Sequence, residues 1–570
     1  MTERPWLAHY PKSVQWDQSF PAKPLYRLLD ETADAHPDWP YLDFMGKRQS
    51  YGAVKAKVER AAAGLQRIGV TKGTKVGLFL PNCPQFIIGY YAILKAGGTV
   101  VNFSPLYSIP ELLHQVEDSE TDIMITLDVK QLFEPMSHVR EQSRLQTVVV
   151  GSIGEALPRV KGLLYGIAKR RERAALPRHD SFLTFQELMD NDGVPEPVEI
   201  DPHEDVAVLQ YTGGTTGTPK GAMLTHANLS INAQQTLAWD QDFQPQGEKM
   251  LGALPLFHVF AMTLVMNVTT LAGGEIVLMP KFELDEALDL VSRRKITLMP
   301  GVPTMFNAIL HHKQLGKYDL SSLRMCFSGG APLPAEVKKG FEKVVPGVAI
   351  NEGYGLTETS PVASSNPQEG AKIGSIGVPV PGTEIVILDR DNPGQILGVG
   401  QTGEIGIRGP QVMKGYYRRP EATAEVMCGT ILRTGDVGYM DEDGFTFLID
   451  RDKDLILVGG FNVFPRRVEE AVYEHPAVQE CTVIGIPHDY LGEAPKAFVV
   501  RKTNQSLSEA DLLEFLRARI GKHEMPRQIE FRDSLPKTMI GKLSKKELVA
   551  EEKAKYEARR AQAQNEAETA

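Results

Sequence analysis

Tyr211-Thr-Gly-Gly-Thr-Thr-Gly-Thr-Pro-Lys-Gly221 follows an apolar run, Val206-Ala-Val-Leu209, that reads as a strand. Between the strand and Lys220 lie three glycines and four threonines. Glycine lets successive backbone N–H groups turn toward an anion, and hydroxyls and an ammonium add donors. This is the composition of a polyphosphate cradle at a strand end. It is not a Walker A loop, because Pro219 stands where that motif needs glycine directly before lysine. A generic P-loop NTPase or kinase is therefore disfavoured.

Outward from this loop, short apolar runs alternate with helical patterns. Lys75–Leu80, Asp122–Leu127, Gln146–Gly151 and Glu275–Met279 read as strands, and Tyr51–Ile68 and Pro84–Lys95 as helices. The rhythm predicts an α/β fold with largely parallel sheets. From Gly382 to Ile449 the texture changes to closely spaced strands, Glu384–Leu388, Gly403–Arg408 and Phe445–Ile449, which predicts a small β subdomain. Asp450-Arg-Asp-Lys-Asp454 is a dense charged stretch with the character of a domain junction. A helix over Val468–Glu474 and a strand over Glu480–Gly485 follow it. The expected organisation is a large N-terminal domain, residues 1–452, and a smaller α+β C-terminal domain, residues 453–570, with 550–570 a frayed helical or disordered tail.

The chain has 570 residues, too many for one ordinary core. Its formal net charge of −10 disfavours nucleic acid as the main partner, which would need a concentrated basic surface. The four cysteines, Cys83, Cys326, Cys428 and Cys481, form no CxxC pair, which fits a reduced, cytoplasmic setting. No secretory signal pattern opens the sequence. The apolar window Phe260–Met279 is interrupted by Asn267, Gly273, Gly274 and Glu275, so a buried helix and strand are expected there and not a membrane span.

Two further clusters follow apolar runs: Ser328-Gly-Gly-Ala-Pro-Leu333 and Asn351-Glu-Gly-Tyr-Gly-Leu-Thr-Glu-Thr359. Strand ends are where α/β sheets bind ligands. Tyr354, between Gly353 and Gly355, is placed to stack on a base. Glu358 with Thr357 offers hard oxygen ligands for Mg²⁺, which takes one or two carboxylates plus substrate phosphates. Each cluster taken alone is equally a turn.

Taken together with Thr434-Gly-Asp436, Asp450-Arg451 and Pro536-Lys-Thr-Met-Ile-Gly-Lys542, these motifs resemble, in order and spacing, the adenylate-forming superfamily of acyl-CoA synthetases, firefly luciferase and peptide-synthetase adenylation domains. The resemblance covers nearly the whole chain. It is nearest to bacterial long-chain fatty-acid–CoA ligases, on Trp6–Pro11, Ala253–His258, Gly301–Phe306, Gly374–Gly377, Gly409–Met413 and Gly460–Pro465. It implies ATP and Mg²⁺ as cofactors, coenzyme A as co-substrate, and a mobile C-terminal domain. Thr212, Gly213, Gly214, Thr215, Thr216, Gly217, Thr218 and Lys220 would hold the β- and γ-phosphates. Gly329, Gly330 and Ala331 would line the adenine pocket, with Tyr354 stacked on the ring and Thr357 on the α-phosphate. Glu358 would hold the metal, and Asp436 and Arg451 the ribose. Lys542 would bridge the acid's carboxylate and the α-phosphate. Lys453 falls at the hinge position, and Gly460 near the thiol channel.

The acid-pocket stretch Leu256–Met262 carries no acidic residue to pair with an α-amino group, so the resemblance argues against an amino acid substrate. No carrier-like serine motif follows, so free coenzyme A is the expected acceptor. His258 and Phe260 are expected in the acyl pocket, and the Phe-, Met- and Leu-rich region Phe257–Phe306 lines an alkyl tunnel or is ordinary core. The expected activity is long-chain fatty acid–CoA ligation through an acyl-adenylate. Alternatives are a ligase for medium-chain, aromatic or dicarboxylic acids, a luciferin-dependent monooxygenase, or a non-catalytic acyl or nucleotide sensor. Val160–Arg173 joins an apolar half to a basic half. This pattern suits either a helix packed on its own domain or peripheral contact with the inner face of the cytoplasmic membrane. A homodimer is also compatible with the resemblance.

Overall fold

In this computed structural model the described residues are 4–177, 179–212, 219–459, 461–488, 490–538 and 541–569. Val206–Thr212 is the strand expected before the glycine-rich loop, and it pairs antiparallel with Lys220–Thr225, closing on Thr212 opposite Lys220. The two strands thus form an antiparallel pair whose near ends are Thr212 and Lys220. Gly213 to Thr218 lie outside the described residues, as does Gly460.

That pair belongs to an eight-stranded sheet in the order Gly415–Tyr416, Lys220–Thr225, Val206–Thr212, Thr99–Phe103, Lys75–Phe79, Ile123–Leu127, Thr147–Gly151, Phe182–Thr184. From Val206–Thr212 to Phe182–Thr184 all neighbours are parallel. A nine-stranded sheet holds Ala349–Gly355, Met325–Ser328, Leu298–Gly301, Lys249–Gly252 and Glu275–Leu278 side by side at its centre, also in parallel. The expected α/β architecture is therefore present, with strands buried on both faces as parallel sheets require. Between the sheets lies the helix Pro84–Lys95, every residue of which from Pro84 to Leu94 is buried. Its sequence, apolar all round, suits burial on all sides.

The window Phe260–Met279 becomes a π-helical stretch Ala261–Val268, a turn of α-helix Thr269–Ala272 and the strand Glu275–Leu278. Buried tyrosines satisfy its polar groups. Tyr91 donates to Asn267 Oδ1 at 3.0 Å, and Tyr51 to the carbonyls of Thr269 and Gly274 at 3.0 and 2.8 Å.

The β subdomain is a five-stranded antiparallel sheet built on Glu384–Leu388, Gly403–Arg408, Ile431–Met440 and Thr446–Arg451. The segment around Trp6 packs into its core. The C-terminal domain has its own core around Val468, Val483, Phe498 and Leu512. Its long hairpin, Val478–His488 and Gly492–Arg501, carries Gln528–Phe531 in parallel on one side. Residues 550–569 continue the helix Lys545–Thr569. Leu548 is buried beneath its first turns, and Lys496 reaches Glu552 at 2.9 Å.

Two buried amides join the large sheets. Asn82, just past the strand Lys75–Phe79, donates to the carbonyls of Gly252 and Leu254 at 3.0 and 2.8 Å and accepts from Leu256 N at 2.8 Å. Gln210 donates to Phe257 O at 3.0 Å and accepts from Asn102 at 2.9 Å. The chain from Gly252 to Phe257 is thereby fixed by the neighbouring sheet. Asn82→Leu leaves the Leu254 carbonyl and the Leu256 N–H buried without partners, while the Gly252 carbonyl keeps the bond from Met279 N. It is expected to lower the stability of the large domain by about 3 kcal/mol, read as a reduced urea midpoint at unchanged m-value.

Candidate functional site

At the end of the strand Met325–Ser328 the backbone turns through Gly329 and Gly330, the latter at φ +81°. Both glycines are closely approached. A Cβ on Gly329 would lie 3.1 Å from the Phe260 ring. A Cβ on Gly330 would lie 2.5 Å from Lys542 Cε and 2.9 Å from its Nζ. The φ favours glycine at 330, and its open backbone leaves room for the flexible end of the Lys542 side chain. Ala331 follows, partly exposed.

Lys542 enters from the C-terminal domain at the tip of a tight turn. Gly541, at φ +84°, donates to the Thr538 carbonyl at 2.8 Å, and Lys542 N donates to Thr538 Oγ1 at 3.1 Å. The large domain holds this turn and, separately, the start of the strand Val478–His488. Thr304 Oγ1 donates to the Gly541 carbonyl at 2.6 Å, and Asn307 Nδ2 donates to the Gln479 carbonyl at 2.9 Å. Burial, with the nearby Arg451 charge, brings the Lys542 ammonium down to about 8, and Asp436 opposes this.

His258 lies close enough to feel that ammonium. Burial and the Lys542 charge push its imidazole down to about 3, so it is neutral at physiological pH. Its Nδ1 accepts from Phe260 N at 3.3 Å, which leaves the proton on Nε2. His258, Phe260, Gly329, Gly330 and Lys542 thus share one corner.

On the opposite side stands a polar group. Tyr354, in the strand Ala349–Gly355, donates to Asp436 Oδ2 at 2.6 Å. Asp436 is paired across the β subdomain with Arg451, whose Nε lies 3.4 Å from Oδ1. Burial raises the Asp436 carboxyl, against the pull of Arg451 and Tyr354. One of its oxygens already accepts from Tyr354, so a further partner would share that carboxylate. Gly353 pairs with Ser365 in the neighbouring strand. Gly355 has a packing reason of its own, since a Cβ there would fall 1.7 Å from the Pro361 carbonyl oxygen.

Thr357 opens the short turn Thr357–Thr359 that carries Glu358. Glu358 accepts from Tyr416 OH at 2.7 Å and faces a cavity of about 220 Å³ that Tyr416, Glu404, Arg433 and Thr434 also line. Lys220 Nζ stands 5.2 Å from the centre of the Tyr416 ring. The loop hairpin and the carboxylate are therefore coupled through one tyrosine. Tyr416 carries no motif, and its only signal is spatial: Gly415–Tyr416 pairs with Met223 and Ala222 of the hairpin. Thr212 is at the hairpin's rim, with its hydroxyl 3.5 Å from the Lys220 carbonyl. One carboxylate beside a cavity, linked through Tyr416 to Lys220, fits Mg²⁺, which completes its shell with phosphate oxygens and water.

Lys453 lies in the turn Asp452–Asp454, between the two domains' cores. Its side chain is exposed; partial desolvation and the like charge of Arg451 lower its ammonium, with Asp454, Asp436 and Glu358 acting the other way. Contacts and charges thus link His258, Phe260, Gly329, Gly330, Tyr354, Asp436, Arg451, Lys453 and Lys542 into one neighbourhood, with Glu358 and Lys220 linked through Tyr416.

The AMP-binding enzyme family model matches residues 29–417, and the AMP-binding enzyme C-terminal domain model matches residues 467–542. The chain is 43% identical over 558 residues to a long-chain-fatty-acid–CoA ligase of Bacillus subtilis (strain 168), covering 97% of this chain and 98% of that one. It is 36% identical over 561 residues to the ligase of the same name from Escherichia coli O157:H7, covering 97% and 99%. Among solved structures, ATP-bound MatB from Rhodopseudomonas palustris matches with a TM-score of 0.80 at 30% identity, over 92% of this chain and 98% of that one. The anthranilate CoA ligase AuaEII in complex with anthranoyl-AMP matches with a TM-score of 0.83 at 26% identity, over 94% and 99%. With both family models matched in order and relatives aligned end to end, the chain belongs to the AMP-binding enzyme family.

Proposed function

We propose that this enzyme is a long-chain fatty acid–CoA ligase, converting a fatty acid, ATP and coenzyme A to acyl-CoA, AMP and pyrophosphate through an acyl-adenylate. The observation that carries the reading is Lys542, brought by the C-terminal domain over Gly330 beside neutral His258 and Phe260. In the first step a carboxylate oxygen attacks the α-phosphorus and pyrophosphate leaves with the bonding electrons. Two anions must meet, so electrostatic stabilisation is the main demand. Lys542 meets it as a cation donating to both the carboxylate and the α-phosphate. His258, carrying its proton on Nε2, can donate to the carboxylate without adding charge. Asp436 and Arg451 orient the ribose, and Tyr354, fixed through its hydroxyl, offers its ring to adenine. Glu358 would hold Mg²⁺, which offsets phosphate charge. In the second step the coenzyme A thiolate attacks the acyl carbon and AMP leaves.

The roles of Thr212 to Lys220 on the β- and γ-phosphates, of Gly329 to Ala331 and Thr357, and of Gly460 beside the thiol belong to the same proposal. So does division at 452/453, with Lys453 as the hinge that carries the C-terminal domain between the two steps. Cytoplasmic location with peripheral contact at the membrane's inner face, and pairing of two copies, complete it.

The alkyl tail supplies affinity in increments of about 0.8 kcal/mol per buried CH₂, roughly fourfold each. Pyrophosphate release with acids from acetate to stearate plus benzoate, with and without coenzyme A, tests the substrate. Turnover should require coenzyme A and favour long chains. Lys542→Ala should lose about 100-fold or more in the adenylation step. Turnover only with short or aromatic acids would refute the long-chain assignment.

The pH dependence follows from Lys542. Its folded-state value lies below that of a free lysine, so the working cation is present at low pH and is lost as pH rises through about 8. The kcat/KM for pyrophosphate release should fall above that pH with the slope of one proton. Lys542→Arg should keep part of the activity and move the fall to higher pH.

Thr304 acts as a positioning residue through Gly541. Thr304→Val should slow adenylation by about threefold to tenfold, the worth of one hydrogen bond. Transfer from preformed acyl-adenylate to coenzyme A should be unchanged, and equal losses in both steps would assign Thr304 a general structural role.

A further inference from the structure

The segment whose apolar and basic halves stood out in sequence forms the helix Arg159–Ala168, in the crossover between the strands Thr147–Gly151 and Phe182–Thr184. These strands lie at the edge of the eight-stranded sheet opposite the glycine-rich hairpin. Its orientation is the reverse of an ordinary surface helix. The side against the protein is held by Gly162, where a Cβ would come within 2.5 Å of the Gly154 carbonyl, and by Tyr165, packed on the core. The large aliphatic residues point away. Val160, Leu163, Leu164 and Ile167 are 72%, 70%, 58% and 69% exposed. Their spacing of three, four and seven residues makes one continuous stripe. Met45, 44% exposed, lies beside them in the turn whose carbonyl Lys161 Nζ reaches at 3.0 Å. The helix stops at Ala168, so the basic run falls in the turns that follow.

The charge around the stripe is as one-sided as its polarity. Residues 159–173 hold six basic residues and one acidic one, in a chain of net charge −10. Among them Lys169 pairs with Glu172 and Arg173 with Asp128. Arg159, Arg170 and Arg171 are exposed beside the stripe. An exposed aliphatic face rimmed by arginine and lysine matches the boundary between anionic headgroups and acyl chains. A protein partner would have to match both features, whereas an anionic bilayer supplies both by its composition.

We propose that the helix Arg159–Ala168 docks the enzyme on an anionic bilayer, its four aliphatic side chains entering the headgroup–acyl boundary and the surrounding cations meeting lipid phosphates. The inference rests on the reading above, in which the substrate is a long-chain acid drawn from that phase. Among the described residues no helix is long and apolar enough to cross a membrane, so the attachment is interfacial.

The test is co-sedimentation of the full chain with vesicles of equal parts phosphatidylglycerol and phosphatidylcholine, or of phosphatidylcholine alone, at low and high salt. Binding is expected to the anionic vesicles and to weaken with salt. Leu163→Glu/Leu164→Glu and Arg170→Glu/Arg171→Glu should each reduce it about tenfold or more. Both variants should keep the parent's thermal midpoint and its octanoate-driven pyrophosphate release, which certifies the fold and tests the ligase reading separately. No binding to either vesicle, equal binding of both variants and parent, or loss of a dimer in the Leu163/Leu164 variant without loss of vesicle binding would each overturn the proposal.

Discussion

The site depends on two consecutive residues having no side chains. At Gly329 and Gly330 the nine-stranded sheet ends, and an aromatic ring comes down on the first while a lysine from another domain comes down on the second. Any Cβ at 330 would occupy the space of the Lys542 side chain. The open backbone at Gly330 leaves room for the flexible end of the Lys542 side chain, while hydrogen bonds from Thr304 and Asn307 hold the C-terminal domain. Here Thr304, Asn307 and the glycine pair set where the lysine stops, while the lysine itself adds a charge that burial and Arg451 disfavour and Asp436 only partly offsets.

The chain that leads to His258 in the same corner is held with equal strictness by polar groups inside the protein. Asn82 and Gln210 from one sheet hydrogen-bond the chain that leads from the other sheet to His258. Buried amides with all partners supplied fix geometry better than apolar packing, because any displacement leaves a polar group orphaned. The π-helical stretch after Phe260 is supported similarly, by tyrosine hydroxyls reaching in from the N-terminal helices. The acid corner is thus built on a network spanning the first and middle thirds of the chain.

Much of this was legible in sequence, for identifiable reasons. Alternating apolar runs gave the parallel sheets, and Glu384–Leu388 and Gly403–Arg408 emerged with the bounds their alternation suggests. Glycine and proline punctuation marked the clusters at 328–333 and 351–359. Other features were not legible. Tyr416 joins Lys220 to Glu358 through a strand pairing between distant segments, and neither neighbour in sequence hints at it. Asn82 reads as a loop asparagine until its partners, all beyond residue 250, are in place. For Val160–Arg173 the periodicity was plain, but which face turns inward is a tertiary fact, decided by Gly162 against Gly154.

The electrostatics of the closed arrangement give it a direction. Lys542, Arg451 and Lys453 converge on a region where Asp436 and Glu358 supply the opposing charge, and burial and Arg451 lower the Lys542 ammonium. Closure without a nucleotide therefore carries a penalty of desolvation and like-charge repulsion. A polyphosphate entering between these groups reverses the sign of that term, because each cation then faces an anion. When pyrophosphate departs, several of those negative charges leave with it, and the reason for the cations to remain together is weakened. The first reaction product to leave thus removes part of what holds the first conformation. A domain whose closure is stabilised by the substrate's own charge needs no separate trigger to reopen, and Lys453 lies inside the same field.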